Sequence, residues 1–196
     1  MLSTNRYFRL DASIVSNIHH FMGFPEQQLR TGLPADEAKL LARETTLHPE
    51  WANDLIQFAS HPQGGTVARK ASWVLRHAAL HDKSVLAGHG FAILRAVDQS
   101  QDPSVHRELL KALVELPAAE LKSMGEDLYD LGLGLCADTS LPVAMVHVGV
   151  QLLHASGLPL GEEVAEVWRD RGSNAQTAPL ARFLSKQLEA MKKRRR

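Results

Sequence analysis

This chain has almost no cysteine, few aromatic residues, no net charge and no long apolar run. Cys136 is the only cysteine among 196 residues. One thiol cannot close an internal bridge, which excludes a disulfide scaffold. Lysine and arginine number 22, aspartate and glutamate also 22, so the formal charge is zero. That balance disfavours a uniformly basic nucleic-acid coat. No stretch approaches the roughly 18 uncharged apolar residues of a membrane span. The first residues carry Arg6, Arg9 and Asp11 among apolar neighbours, unlike a signal peptide. A cytoplasmic address follows as the expectation, with Cys136 acting as a small buried hydrophobe. What is present is 44% hydrophobic residues without net repulsion, which excludes wholesale disorder. A chain of this length buries about 70% of its unfolded surface and needs neither metal nor disulfide to hold it.

The apolar residues recur at intervals of three and four, and strand-like alternation is almost absent. Val67, Ala71, Val74, Leu75 and Ala78 form one helical stripe. Val105, Leu109, Ala112, Leu113 and Leu116 repeat its internal spacing 38 residues later. Val143, Val146, Val150 and Leu153 follow, rotated by part of a turn, and Leu180, Leu184, Leu188 and Met191 restore most of the pattern. Two further stripes run from Leu121 to Leu135 and from Leu160 to Trp168. Pro34, Pro49, Pro103, Pro142 and Pro179 fall where first turns belong. Asp102 is positioned to cap the helix at Pro103. The pattern predicts helices at 11–22, 35–47, 49–60, 65–81, 83–98, 103–116, 118–137, 141–156, 160–171 and 176–193. Pro117 and Pro159 are expected to separate the paired helices within repeats. The expected fold is all-α, an α-solenoid of stacked antiparallel helical hairpins.

The run Lys70-Ala71-Ser72-Trp73-Val74-Leu75, the Val143-Ala144 start and the Leu180-Ala181-Arg182 helix resemble the HEAT or armadillo-type α-solenoid repeats, in particular small uncharacterised bacterial members. The likeness covers about residues 35–191, and the Asp-Val and Lys-Arg signatures of a HEAT repeat are incomplete. The resemblance implies an alpha-alpha superhelix that binds a protein or peptide, with no cofactor. Residues 1–34 do not fit the repeat. Ile14, Ile18, Phe21 and Met22 give an amphipathic helix, expected to cap the first hairpin or to form an arm that docks on another subunit. Residues 192–196 form a basic tail.

Charge is unevenly spread. Without Lys192, Lys193, Arg194, Arg195 and Arg196 the body carries 17 basic against 22 acidic residues. Arg69, Lys70, Arg76, Lys83 and Arg95 make a basic zone opposed only by Asp82. Seven acids between Glu108 and Asp138, opposed by Lys111 and Lys122, make an acidic one. Trp73 lies nearly opposite the buried stripe of its helix, flanked by Arg69, Arg76 and His77, and these four are the candidate binding residues. A tryptophan between arginines can anchor a partner side chain or stack on a base. It can equally pack between hairpins together with Leu80.

Other patterns have bland explanations. His77 with His81, and His147 with His154, lack the further ligands that a metal site needs. Gly88-x-Gly90 and Gly132-x-Gly134 lack the strand and third glycine of a dinucleotide fingerprint, so they point to close helix approach or a kink. The preferred function is a non-enzymatic protein-interaction scaffold with a charge-patterned groove, formed mainly by the helices 83–98 and 118–137. The alternative is nucleic-acid binding through Arg69, Arg76 and the basic tail, resembling the HEAT-like DNA glycosylases. Metal-dependent catalysis through the histidines has least support.

Overall fold

The computed structural model of the chain describes residues 24–30, 34–61, 64–175 and 177–194. Among these residues the chain is all-helical. The helices are α1 (Glu26–Arg30), α2 (Ala35–Leu47), α3 (Trp51–Ala59), α4 (Thr66–His81), α5 (Gly90–Gln99), α6 (Pro103–Val114), α7 (Ala118–Ser123), α8 (Gly125–Ala137), α9 (Val143–Ala155), α10 (Glu162–Ser173) and α11 (Ala178–Arg194). One 3₁₀ turn, Lys83–Leu86, follows α4. The helix expected at 11–22 lies outside the described residues.

Two expected helices are each divided. The segment 83–98 becomes the 3₁₀ turn and then α5, because Gly88 adopts a φ of 79° that ends any right-handed helix there. The segment 118–137 divides into α7 and α8 at Met124, whose side chain is fully buried. Gly125 opens α8 against the Ser156 carbonyl, where a Cβ would sit 2.9 Å from the oxygen.

The apolar stripes are the core. Val105, Leu109, Ala112 and Leu113 expose no surface, and neither do Ala71, Val74, Leu75 and Ala78. Helices α4, α6, α9 and α11 begin at residues 66, 103, 143 and 178, intervals of 37, 40 and 35. Helix α4 packs against α1, α2, α3 and α6, and α6 against α4, α5 and α9. Helix α3 also touches α5, and α8 touches α10. The closest consecutive partners are α3 with α4, α5 with α6, α8 with α9 and α10 with α11. The expected pairs across Pro117 and Pro159 approach each other much less. The whole of α7 intervenes between α6 and α8, and the Gly157–Gly161 loop directs α10 onto α8 and α11 rather than onto α9.

The buried residues form two clusters. The larger runs from Phe24 through α6 to one face of α8 and α9. The smaller joins Cys136, Val146, Val150 and Leu153 to Trp168, Leu180 and Leu184. Helices α8 and α9 therefore form a wall with a core on each side. A helix buried on two sides must be apolar nearly all round. This accounts for the partial rotation of the third stripe: α9 gives Met145, Val148 and Leu152 to one core and Val146, Val150 and Leu153 to the other.

The wall depends on two glycines. A Cβ on Gly132 would lie 2.8 Å from the Gly149 carbonyl oxygen, and one on Gly149 would lie 2.9 Å from that of Gly132. Gly134, in the same helix, has open space around it. Gly132→Ala and Gly149→Ala should each cost about 1–3 kcal/mol, because backbone must move to admit the methyl. Gly134→Ala should instead stabilise α8 by about 0.5–1 kcal/mol through helix propensity. Urea unfolding of the three variants checks the contrast.

Candidate interaction surface on helix α4

Burial on three sides leaves α4 a single outer face. Ala68, Ala71, Ser72, Val74, Leu75, Ala78 and Ala79 point inward. The outer face carries all four candidate residues, Arg69, Trp73, Arg76 and His77, and also Leu80. Trp73 is half-buried and packs against the larger core, as its packing role between helices predicts. Its indole stacks on the His77 ring, with centroids 3.7 Å apart and planes inclined by 29°. Leu80, expected as an inter-hairpin residue beside Trp73, is 48% exposed. The neighbouring α2 exposes Leu40 (58%) and Leu47, two turns apart on one stripe. A weak charge effect of Lys39 on α2 also lowers the His77 pKa, which puts Lys39 on the side of α2 nearest His77.

Three cations of the basic zone meet carboxylates on α6 or at its caps. Arg69 Nε donates to Asp102 Oδ2 at 2.7 Å, and Arg76 Nη1 to Glu108 Oε2 at 3.0 Å. Lys83 Nζ lies 2.9 Å from Glu115 Oε2. The three pairs advance together along both segments, so α4 and α6 run parallel. The side chain of Arg69 is 60% exposed but that of Asp102 only 6%. Asp102 also accepts from the Ser104 backbone N–H and so caps α6, as its place before Pro103 predicts.

Glu108 is the hub of this ladder. Its nearly buried carboxylate also receives Arg107 Nε at 3.1 Å and lies 3.6 Å from Lys111 Nζ. Burial pushes its pKa up, but the Arg107 hydrogen bond, the Lys111 charge and Arg76 outweigh that and hold it below the ordinary value of 4.5. Asp102 is likewise held low: burial opposes ionisation, and the Arg69 and backbone hydrogen bonds prevail. For His77, burial first and the Arg76 charge second lower the pKa, against the pull of Glu108.

The remaining motifs are structural. The Gly88-x-Gly90 pair does hold an anion, but the anion is Glu120 of α7. Its carboxylate accepts the Gly88 N–H at 2.9 Å and the Gly90 N–H at 2.5 Å, closing the N-terminus of α5. His147 stacks on Phe183, with centroids 3.9 Å apart, and His154 Nε2 lies 3.1 Å from Gln187 Oε1. Among the described residues no group of three or more His, Cys, Asp or Glu side chains is placed to hold a metal ion. Cys136 is fully buried, and desolvation pushes its thiol up to about 11, which makes it inert as a nucleophile.

Sequence reasoning found the basic and acidic zones separately and missed that they meet. The signal was present: Arg69, Arg76 and Lys83 are seven apart, and Asp102, Glu108 and Glu115 follow at six and seven.

Trp73→Ala should cost about 1–2 kcal/mol, below the roughly 3–5 of a fully buried tryptophan, because half of the indole faces outward. Chemical denaturation reads this directly. Acid should act in two stages. His77 and His106 are depressed from 6.5, so their neutral forms support the fold above that value and support falls as pH drops through their folded pKa values. Glu108 and Asp102 contribute fully above 4.5 and 3.8, and that contribution is lost as pH falls through their depressed values. Melting curves between pH 8 and 3 should show both declines, the second smaller in Glu108→Gln. In comparison with known proteins, the chain matches no protein-family model, no curated protein and no solved structure.

Proposed function

We propose that this protein is a non-enzymatic interaction scaffold, a short α-solenoid of the HEAT or armadillo type that receives a protein or peptide on the outer face of α4 and α2. One observation carries this: Arg69 and Arg76 beside Trp73 are already paired with carboxylates of the protein, and Leu80 and part of the Trp73 indole stay accessible beside them. Trp73, Leu80, Leu40 and Leu47 then supply an aromatic anchor and aliphatic neighbours, the composition of an interface centre. Arg69 and Arg76 form a polar rim already fixed in position. The parallel run of α4 and α6, and the start-to-start intervals of 35–40 residues, support the solenoid reading.

The nucleic-acid reading is weaker for the same reason. A phosphate would have to draw Arg76 away from Glu108 and leave a nearly buried carboxylate short of a partner. Lys192 and Lys193 on α11 are exposed, and the tail of five cations at 192–196 makes a short phosphate track.

Leu40→Glu with Leu80→Glu tests the scaffold. Both side chains are exposed, so stability should stay within about 0.5 kcal/mol of the parent. Affinity capture from cell extract should lose its specific partner in the double variant and keep it in a control substituted on the exposed side of α10. A fluorescent duplex and a single-stranded oligonucleotide should bind no tighter than about 10 µM at low salt. Submicromolar, steeply salt-dependent binding that disappears in Arg76→Ala would establish the nucleic-acid reading instead.

A further inference from the structure

The turns before α9 and before α11 enclose a cavity of about 460 Å³ beside the smaller core. Its polar lining includes Arg171, Ser140 and Thr177, and its apolar lining includes Leu141, Val143 and Leu180. Arg171 is the unusual member. Its Nη2 donates to the Leu141 carbonyl at 2.8 Å, whereas its Nε is buried with no hydrogen-bond partner. No described carboxylate lies within ion-pair distance of it. The acid that feels its charge, Asp138, is engaged with the Ser140 N–H at 2.8 Å and the Ser140 hydroxyl at 2.6 Å.

Arg69 and Arg76 meet carboxylates, whereas the one hydrogen bond of Arg171 goes to a backbone carbonyl and its Nε is buried without a partner. A half-buried guanidinium carries five N–H donors and a desolvation cost that one carbonyl does not return. The same cavity includes the start of α9. Pro142 precedes that helix without a side-chain cap; the Met145 N–H turns back to the Pro142 carbonyl at 2.8 Å, and the Val143 and Ala144 N–H groups form the electropositive end of the helix.

We propose that this cavity binds a small molecule carrying an oxyanion, a carboxylate or a phosphate ester, on an apolar body. Arg171 holds the anion, and the Thr177 hydroxyl and the first turn of α9 supply further donors. Leu141, Val143 and Leu180 receive the apolar body. The site is separate from the face of α4 and stands whether or not that face docks a partner.

The test is a titration of the ¹⁵N-labelled full chain with inorganic phosphate, phenyl phosphate and benzoate, followed by amide chemical shifts. Saturable shifts are expected at Val143, Ala144 and Thr177. The two phenyl compounds should bind more tightly than inorganic phosphate, and their order identifies the preferred anion. Arg171→Met should weaken binding at least about tenfold, the scale of a charge-assisted hydrogen bond. Arg171 also anchors the Leu141 carbonyl, so Thr177→Val provides a gentler variant, expected to weaken binding about threefold with an unchanged melting temperature. The proposal is overturned if no probe gives saturable shifts up to about 10 mM, a limit weaker than ordinary small-molecule recognition. It is equally overturned if folded Arg171→Met binds as the parent does. Should that variant not fold, unchanged binding by Thr177→Val decides against it.

Discussion

Burial of helix α4 on three sides is the constraint from which the rest of the architecture follows. Its neighbours α1, α2, α3 and α6 cover most of its surface, and small residues at Ala68, Ala71, Ser72, Ala78 and Ala79 let them approach. A helix so enclosed gains most of its stability from packing and little from its own propensity. Its single outer face must then satisfy two requirements. It must keep the ion pairs that align α6, and it must present to solvent whatever is left. Arg69 and Arg76 serve the first requirement, Trp73 and Leu80 the second. Lys70 shows how full the helix is: its ammonium reaches the Leu29 carbonyl of α1 at 2.9 Å.

The zero net charge takes on a local meaning through this alignment. A basic segment followed by an acidic one reads, along the chain, as a gradient available to a partner. In three dimensions Glu108 and Glu115 of the acidic segment pair with Arg76 and Lys83 of the basic one, while Glu120 turns to the Gly88 and Gly90 N–H groups and Asp138 to Ser140. The exposed members of the ladder add little stability, since surface pairs are worth about 0–1 kcal/mol. Their geometric effect is larger. Three pairs at a spacing of two helical turns fix the register of α4 on α6, because a shift by one residue would misalign all of them together. Glu108 adds to this, since its buried carboxylate tolerates no arrangement without cations around it. Charge here specifies how helices stack.

The helices were legible in the sequence because their stripes are long and bury one face. The stripe from Val105 to Leu116 states both the element and its inward side. The divisions within 83–98 and 118–137 were less legible, because periodicity continues through them. At Gly88 the positive φ follows from a need to turn the backbone towards Glu120, a contact between positions 32 residues apart. At Met124 the chain turns so that Gly125 can approach Ser156, again a distant partner. The candidate residues Arg69, Trp73, Arg76 and His77 were found as one helical face, which local spacing defines. Their partners on α6, and the exposed leucines of α2, belong to neighbouring helices and were not visible from that spacing.

The wall of α8 and α9 explains why a chain of modest size carries two cores. A single core widening in step with chain length would leave α10 and α11 stacked on an outer surface. Here α9 is apolar on nearly every side, and contact between Gly132 and Gly149 brings the backbones of the pair close enough to act as one layer. Each side of that layer then nucleates its own packing, with Trp168 at the centre of the smaller core. The edges of such a layer are turns, where backbone donors and side-chain cations are left without helical partners. Arg171 sits at one of these edges. Its Nη2 donates to the Leu141 carbonyl at 2.8 Å, beside the smaller core that holds Cys136 and Trp168. The guanidinium thus lines the cavity between the two turns, with its Nε buried.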